Sequence, residues 1–140
     1  SQLEVLAYNR IVRDLNGLYR RHAALHASDS DPAGFAWVDC QDVEGSTLAY
    51  ERWAPGGDGL VVVCNFTPVP RSGYRVGMPR PGRWLEVMNT DAAEYGGSGF
   101  GNAGAVTADA TAWHGRRWSA ELAIPPLAGL VLRPDDAPPA

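Results

Sequence analysis

The chain changes its hydrophobic period once, and the change divides it into two unequal parts. From Leu3 to about Leu25 the apolar residues recur at spacings of four and three. Leu3, Ala7, Ile11, Leu15 and Leu18 form a stripe that Tyr8, Val12 and Tyr19 widen. That pattern predicts an amphipathic helix, with Arg10, Arg13, Asp14, Arg20 and Arg21 supplying much of its polar face. Gly17 inside the pattern costs about 1 kcal/mol relative to alanine, so close packing against it is expected. Ser28-Asp29-Ser30-Asp31-Pro32-Ala33-Gly34 then stops the helix, because Asp31 before Pro32 is pushed towards an extended conformation.

Beyond Gly34 the period is two. Phe35 to Asp39 alternates large and small residues, and Thr47 to Trp53 alternates again. Ala54-Pro55-Gly56-Gly57-Asp58-Gly59 is a hairpin-type turn cluster. Leu60-Val61-Val62-Val63-Cys64 is continuously apolar and reads as a central strand covered on both faces. Asn65 to Arg71 leaves that strand through Pro68 and Pro70, neither of which can donate to a ladder. Further strands are predicted at Tyr74 to Met78, Arg83 to Met88, weakly at Ala105 to Trp113, then at Trp118 to Ile124 and Leu127 to Arg133. The prediction is an all-β antiparallel β-sandwich or Greek-key barrel of about eight strands, preceded by one N-terminal helix. Residues 1–27 form the helical part, 28–133 the β-domain and 134–140 a disordered tail.

Between two of these strands lies Asn89 to Asn102, with four glycines inside six residues at Gly96, Gly97, Gly99 and Gly101. Glycine at that density is not strand material. Either the segment is a mobile surface connection, or its backbone takes positive φ and passes close to something else. No helix pattern follows it and no arginine or lysine lies within it, which weighs against a phosphate cradle.

Composition narrows the function classes. The net charge is −4 with a pI near 5.2, lysine is absent, and the arginines are scattered, so no nucleic-acid partner is expected. No apolar run reaches the length of about 20 residues needed to cross a bilayer, so no membrane partner is expected either. Cys40 and Cys64 fall in separate strand-like runs and could pair if those strands are neighbours, but the expectation is two reduced, buried thiols of a cytoplasmic protein. His22 and His26 have metal-ligand spacing but no third ligand, and histidines at a helix C-terminus also suit the dipole. No metal site and no cofactor are predicted.

No catalytic constellation is present: there is no nucleophile elbow, no phosphate loop and no Cys-x-x-Cys pair. His114, in Trp113-His114-Gly115-Arg116, reads as a turn residue beside an aromatic rather than a general base. The five tryptophans offer another chemistry, since indoles stack on the apolar faces of sugar rings. Trp37 and Trp84, flanked by alternating residues, are predicted to be core, and Trp113, bordering a Gly/Arg turn, to be exposed.

With these residues in view, the chain resembles the C-terminal end of a glycogen branching enzyme, the 1,4-α-glucan branching enzyme of the α-amylase superfamily. The resemblance rests on Arg13-Asp14-Leu15-Asn16, Asp31-Pro32-Ala33-Gly34-Phe35-Ala36-Trp37, Cys64 to Arg71 and Gly73 to Gly77. It continues through Pro81 to Asp91, Tyr95-Gly96-Gly97-Ser98-Gly99, Gly101-Asn102, His114-Gly115-Arg116 and Leu122 to Leu132. It implies a parent enzyme that transfers cut α-1,4-glucan chains to a 6-hydroxyl by a retaining double displacement. The nucleophile and acid/base of that chemistry stand on a (β/α)₈ barrel of about 250 residues, too large for this chain to contain. No catalytic residue can therefore be assigned here.

The resemblance makes Leu3 to Leu25 the closing helix of the barrel, with an apolar stripe expected to be sticky in isolation. It implies the barrel as partner, with α-1,4-glucan or glycogen a second. It also makes the glycine loop a fixed, barrel-facing edge whose polar contacts are Asn89, Asp91 and Tyr95. Trp113 and His114 complete the expected carbohydrate or barrel contacts.

Overall fold

The computed structural model describes residues 2–21, 35–42, 47–53 and 59–135. The expectations for His22, His26, the Ser28–Gly34 stop and residues 54–58 fall outside these. Helix α1 spans Gln2–Arg21 and carries Arg20 and Arg21 in its last turn, where cations favour the negative end of the dipole. Eight strands follow: β1 (Phe35–Asp42), β2 (Thr47–Trp53), β3 (Gly59–Asn65), β4 (Arg71–Met78), β5 (Gly82–Asn89), β6 (Ala105–Ala108), β7 (Trp118–Ile124) and β8 (Ala128–Pro134). β8 thus runs one residue into the stretch read as a tail, and the Asp135 amide donates to the Arg83 carbonyl.

The strands form two antiparallel sheets, one of six strands in the order β1-β2-β3-β8-β5-β6 and one of two, β4-β7. Of the two expected forms, the sandwich is the one observed and the closed barrel is not; β1 and β6 end the large sheet without pairing to each other. Proline explains where the chain changes sheet. β3 passes to β4 through Pro68 and Pro70, β4 to β5 through Pro79 and Pro81, and β7 to β8 through Pro125 and Pro126. Without an N–H to donate, none of these positions can extend a ladder, so each strand is released to the opposite sheet.

At the first of these crossings Asn65 is buried and fully engaged. Its amide donates to the Val69 carbonyl at 2.9 Å and the Pro125 carbonyl at 3.1 Å, and its Oδ1 accepts from the Thr67 amide and hydroxyl. One side chain thereby fixes the exits of both β3 and β7.

The core lies between the sheets, where Val61, Val63, Leu130 and Leu132 of the large sheet meet Val76, Met78, Ala120, Leu122 and Ile124 of the small one. β3 is buried at six of its seven positions, as its continuous apolar run predicts for a strand flanked on both sides by β2 and β8. Trp84 is fully buried, and its indole N–H donates to the Arg80 carbonyl at 3.1 Å. Trp37 departs from its predicted core position and is 49% exposed. Trp37 pairs with Tyr50, on the face of β2 opposite buried Ala49 and Glu51, so the indole lies outside while Val38, next along, turns inward. There Trp37 lies edge-on to its cross-strand neighbour Tyr50 at 6.0 Å.

On β2 the alternation buries a charge, since Glu51 is 5% exposed. Its carboxylate accepts from the Trp53 indole at 2.9 Å and pairs with Arg116 at 2.7 Å, tying the large sheet to the β6–β7 connection. Breaking a buried pair strands the partner charge. Glu51→Ala is expected to cost about 3 kcal/mol, the lower end for such pairs because Arg116 keeps some solvent contact. Urea unfolding at neutral pH measures this; an unchanged midpoint would show that the pair contributes nothing.

Candidate functional site

The glycine-rich segment is built around the end of β5. Asn89 is buried, its Oδ1 accepts from the Asp91 amide at 2.8 Å, and its Nδ2 donates to the Phe100 carbonyl at 2.9 Å. The loop is therefore closed at both ends by one side chain. Thr90 adds a clamp to β8, its amide donating to the Gly129 carbonyl and its hydroxyl accepting from the Gly129 amide. A single 3₁₀ turn, Ala93–Tyr95, follows, ending at Gly96 in the left-handed region. The chain then folds back so closely that a Cβ on Gly97 would lie 2.2 Å from the Asp91 carbonyl oxygen. The Gly99 amide donates to that same carbonyl at 2.9 Å, and the Asp91 carboxylate accepts from the Ser98 hydroxyl. Glycine is needed here for close approach rather than for mobility.

Asn102 fastens the far end. Its amide side chain donates to Glu86 of β5 at 2.8 Å and to the Ala123 carbonyl of β7 at 2.9 Å, while accepting from the Ala123 amide at 2.7 Å. The loop is thus bonded to both sheets.

Its outer edge holds helix α1. The Tyr95 hydroxyl donates to the Asp14 carboxylate at 2.5 Å, and Arg10 donates to the Glu94 carbonyl at 3.2 Å. Gly17, one further turn along the same edge of the helix, is buried, and a Cβ there would lie 2.9 Å from the Arg21 guanidinium. Arg10, Asp14 and Gly17 have i, i+4, i+7 spacing, so one polar strip of the helix faces the loop. Both of these helix–loop bonds come from this polar strip. Of the apolar stripe's members with described side chains, Val12 is 38% and Leu15 44% exposed.

The five residues singled out in the sequence fall into two groups. Asn89, Asp91 and Tyr95 come together on the β5–β6 connection, where the first two bond within the loop and only Tyr95 reaches the helix. Trp113 and His114 belong to the β6–β7 connection. β6 ends at Ala108, short of the predicted Trp113, because the chain turns into a tight hairpin. Trp113 and Arg116 exchange both backbone hydrogen bonds, and His114 and Gly115 have φ of 51° and 72°. This is the two-residue hairpin geometry with positive φ at both central positions.

The hairpin is keyed to β4. The Gly77 amide donates to His114 Nδ1 at 3.1 Å, and a Cβ on Gly77 would lie 2.4 Å from the Trp113 carbonyl oxygen. Beside it lies a cleft of about 420 Å³ lined by Gly73, Tyr74, Arg75, Trp113, His114 and Glu121. Arg75 donates to Ser119 Oγ at 2.7 Å and pairs with Glu121 at 3.2 Å and Asp109 at 3.4 Å. The Thr111 hydroxyl, with help from Arg75, holds the Asp109 carboxyl below its usual range. A second, more apolar cleft of about 270 Å³ is lined by Cys64, Phe66, Thr90 and Leu127 among others; burial pushes the free Cys64 thiol up, away from a reactive thiolate.

Sequence reasoning missed Arg10, Asp14, Glu86, Asn102, Tyr74, Arg75 and Glu121. Arg10 and Asp14 could have been found from their helical spacing with Gly17, but the strand residues could not, since their partners are distant in sequence. Among the described residues, no group of three or more His, Cys, Asp or Glu could hold a metal ion, and no helix is long and apolar enough to cross a membrane.

Two packed antiparallel sheets, joined by a bonded glycine loop, define an all-β sandwich domain. Residues 37–135 match the family of alpha-amylase C-terminal all-beta domains, and the chain belongs to that family. More particularly, it is 58% identical over 125 residues to the 1,4-alpha-glucan branching enzyme GlgB of Burkholderia pseudomallei strains 668 and K96243. It is 56% identical over the same length to that of Burkholderia cenocepacia strain HI2424. Each match covers 89% of this chain and 17% of the relative, so the chain spans about a sixth of their length.

Burial first, and the bond to Asp14 second, hold the Tyr95 phenol above its ordinary value of 10. The Tyr95 hydroxyl first, then Arg13, hold Asp14 below its ordinary 3.8. A raised tyrosine pKa stabilises the fold below about pH 10 and loses that contribution as pH rises further. A lowered aspartate pKa stabilises it above about pH 4 and loses that as pH falls. The helix–loop contact is therefore strongest between those limits. In Tyr95→Phe, the Asp14 carboxyl resonance is expected to titrate nearer 3.8 and the last-titrating tyrosine to vanish from the 295 nm absorbance curve. An unchanged Asp14 titration would mean that the bond is not formed in solution.

Proposed function

We propose that this chain is the non-catalytic C-terminal β-domain of a 1,4-α-glucan branching enzyme. The parent would transfer α-1,4-glucan chains to form the α-1,6 branches of glycogen in the cytoplasm, with its catalytic groups on a (β/α)₈ barrel outside this chain. The role of the β-domain is to hold and stabilise that barrel. Residues 1–27 are the barrel's closing helix and 28–133 the domain that grips it.

The observation that carries this reading is the two-sided use of α1. Its polar strip bonds to Tyr95 and the Glu94 carbonyl, while Val12 and Leu15 of the apolar stripe stay exposed. A helix that served only this domain would bury its apolar side against the sheets and leave its charges in water. The similarity to branching enzymes supports the barrel as the partner for that side.

In the intact enzyme, Val12→Asp with Leu15→Asp is expected to lower the thermal midpoint by several degrees and branching activity with it. Burial of each side chain stabilises by about 1.5–3 kcal/mol. Leu6→Asp, also exposed but off the stripe, is the control expected to change little. Wild-type stability and activity in the double variant would sink the proposal.

A second reading has its own observation. Trp37 and Trp113 leave large indole surfaces in water, 49% and 47% exposed. Such surfaces suit contact with glucan chains.

A further inference from the structure

The cleft beside Trp113 has the makings of a ligand site that the docking role does not use. Its platform is rigid before any ligand arrives. Trp113 is the first residue of a two-residue hairpin, fixed by paired backbone bonds to Arg116, backed by Gly77 and set edge-on to the His114 ring at 6.1 Å. An aromatic held in this way loses little freedom on binding, which favours affinity. Tyr74 adds a second aromatic to the lining.

The polar groups restrict the ligand further. Arg75 is already neutralised by Asp109 and Glu121 and bonded to Ser119, so the cleft offers no excess positive charge to a phosphate or carboxylate. Glu121 retains 63% of its side-chain exposure and has acceptor capacity left. Arg75 is a fork of donors beside it. A donor fork and a carboxylate next to an exposed indole suit a neutral molecule with an apolar face and adjacent hydroxyls. The volume of about 420 Å³ is near the small end of ligand sites, which fits on the order of one or two sugar rings.

We propose that the Tyr74–Arg75–Trp113–Glu121 cleft is a carbohydrate subsite that holds a short stretch of neutral α-1,4-glucan, one ring stacked on Trp113 and its hydroxyls bonded to Arg75 and Glu121. The inference rests on the second reading above, glucan contact, and names its place.

The test is a titration of the 140-residue chain with maltoheptaose, followed by two-dimensional NMR of the indole and backbone N–H groups. Inorganic phosphate is titrated in parallel. The expected result is a saturable shift of the Trp113 indole and of the Tyr74, Arg75 and Glu121 amides, with no such response to phosphate. Trp113→Ala should weaken maltoheptaose at least tenfold, Trp113→Phe less, and Glu121→Gln severalfold, while the core resonances stay in place. If maltoheptaose shifts only the Trp37 indole and Trp113→Ala binds normally, glucan contact stands and this cleft is overturned. No shift anywhere overturns both. Saturation of the cleft by phosphate in preference to the sugar overturns the assignment of a neutral ligand.

Discussion

The close approach of Gly97 to the Asp91 carbonyl is the constraint on which the rest of the assembly hangs. Without a Cβ at that point the chain can fold back on itself, and Asp91 can accept from Gly99 on its carbonyl and from Ser98 on its carboxylate. The fold-back sets the position of the 3₁₀ turn, and the turn sets the Tyr95 hydroxyl against Asp14. A chain of short bonds thus runs from β5 through the loop to the helix. Asn102 bonds the same loop to β7, so the two sheets and the helix share one anchor. Four glycines, which in isolation would argue for mobility, form a tight connection because Gly97 and Gly101 allow close approach and Gly96 and Gly99 take positive φ.

Proline does the complementary work of partition. Every passage between the sheets except the β6–β7 one carries a pair of prolines. A residue that cannot donate ends one ladder and lets the next strand begin in the other sheet. This is why a succession of strands that might have closed into a barrel instead forms an open six-stranded sheet covered by β4 and β7.

The parts of this architecture legible in sequence were those set by local pattern. Local pattern and turn signals pointed to the strands, with β6 only weakly marked, and the unbroken Leu60–Cys64 run marked the central one, because each signal lies within its own few residues. What was hidden depended on partners far along the chain. Trp37 looked like core from its neighbours, yet its pairing with Tyr50 puts it on the outward face of the sheet. Glu51 drew no attention in the sequence and is buried on Arg116, sixty-five residues away. Of the candidate contacts, Tyr95 reaches the helix, while Asn89 and Asp91 bond within the loop, because an Asn or Asp beside a turn can satisfy the backbone of its own segment. The 3₁₀ turn that presents Tyr95 had no periodic signal, being a single turn among glycines.

The same loop also fixes one edge of the helix. α1 is bonded through Arg10 and Asp14 while Val12 and Leu15 stay exposed, and the loop is what holds the helix in place. That account requires the glycine loop to be rigid in solution, which backbone amide hydrogen exchange across residues 89–102 measures directly. The Gly96, Gly97 and Gly99 amides, each bonded to a carbonyl of the preceding turn, should exchange at least a hundredfold more slowly than in an unstructured peptide, roughly 2.7 kcal/mol of protection at 1.36 kcal/mol per tenfold. Exchange of all three at peptide rates would contradict the account and leave the segment a mobile connection.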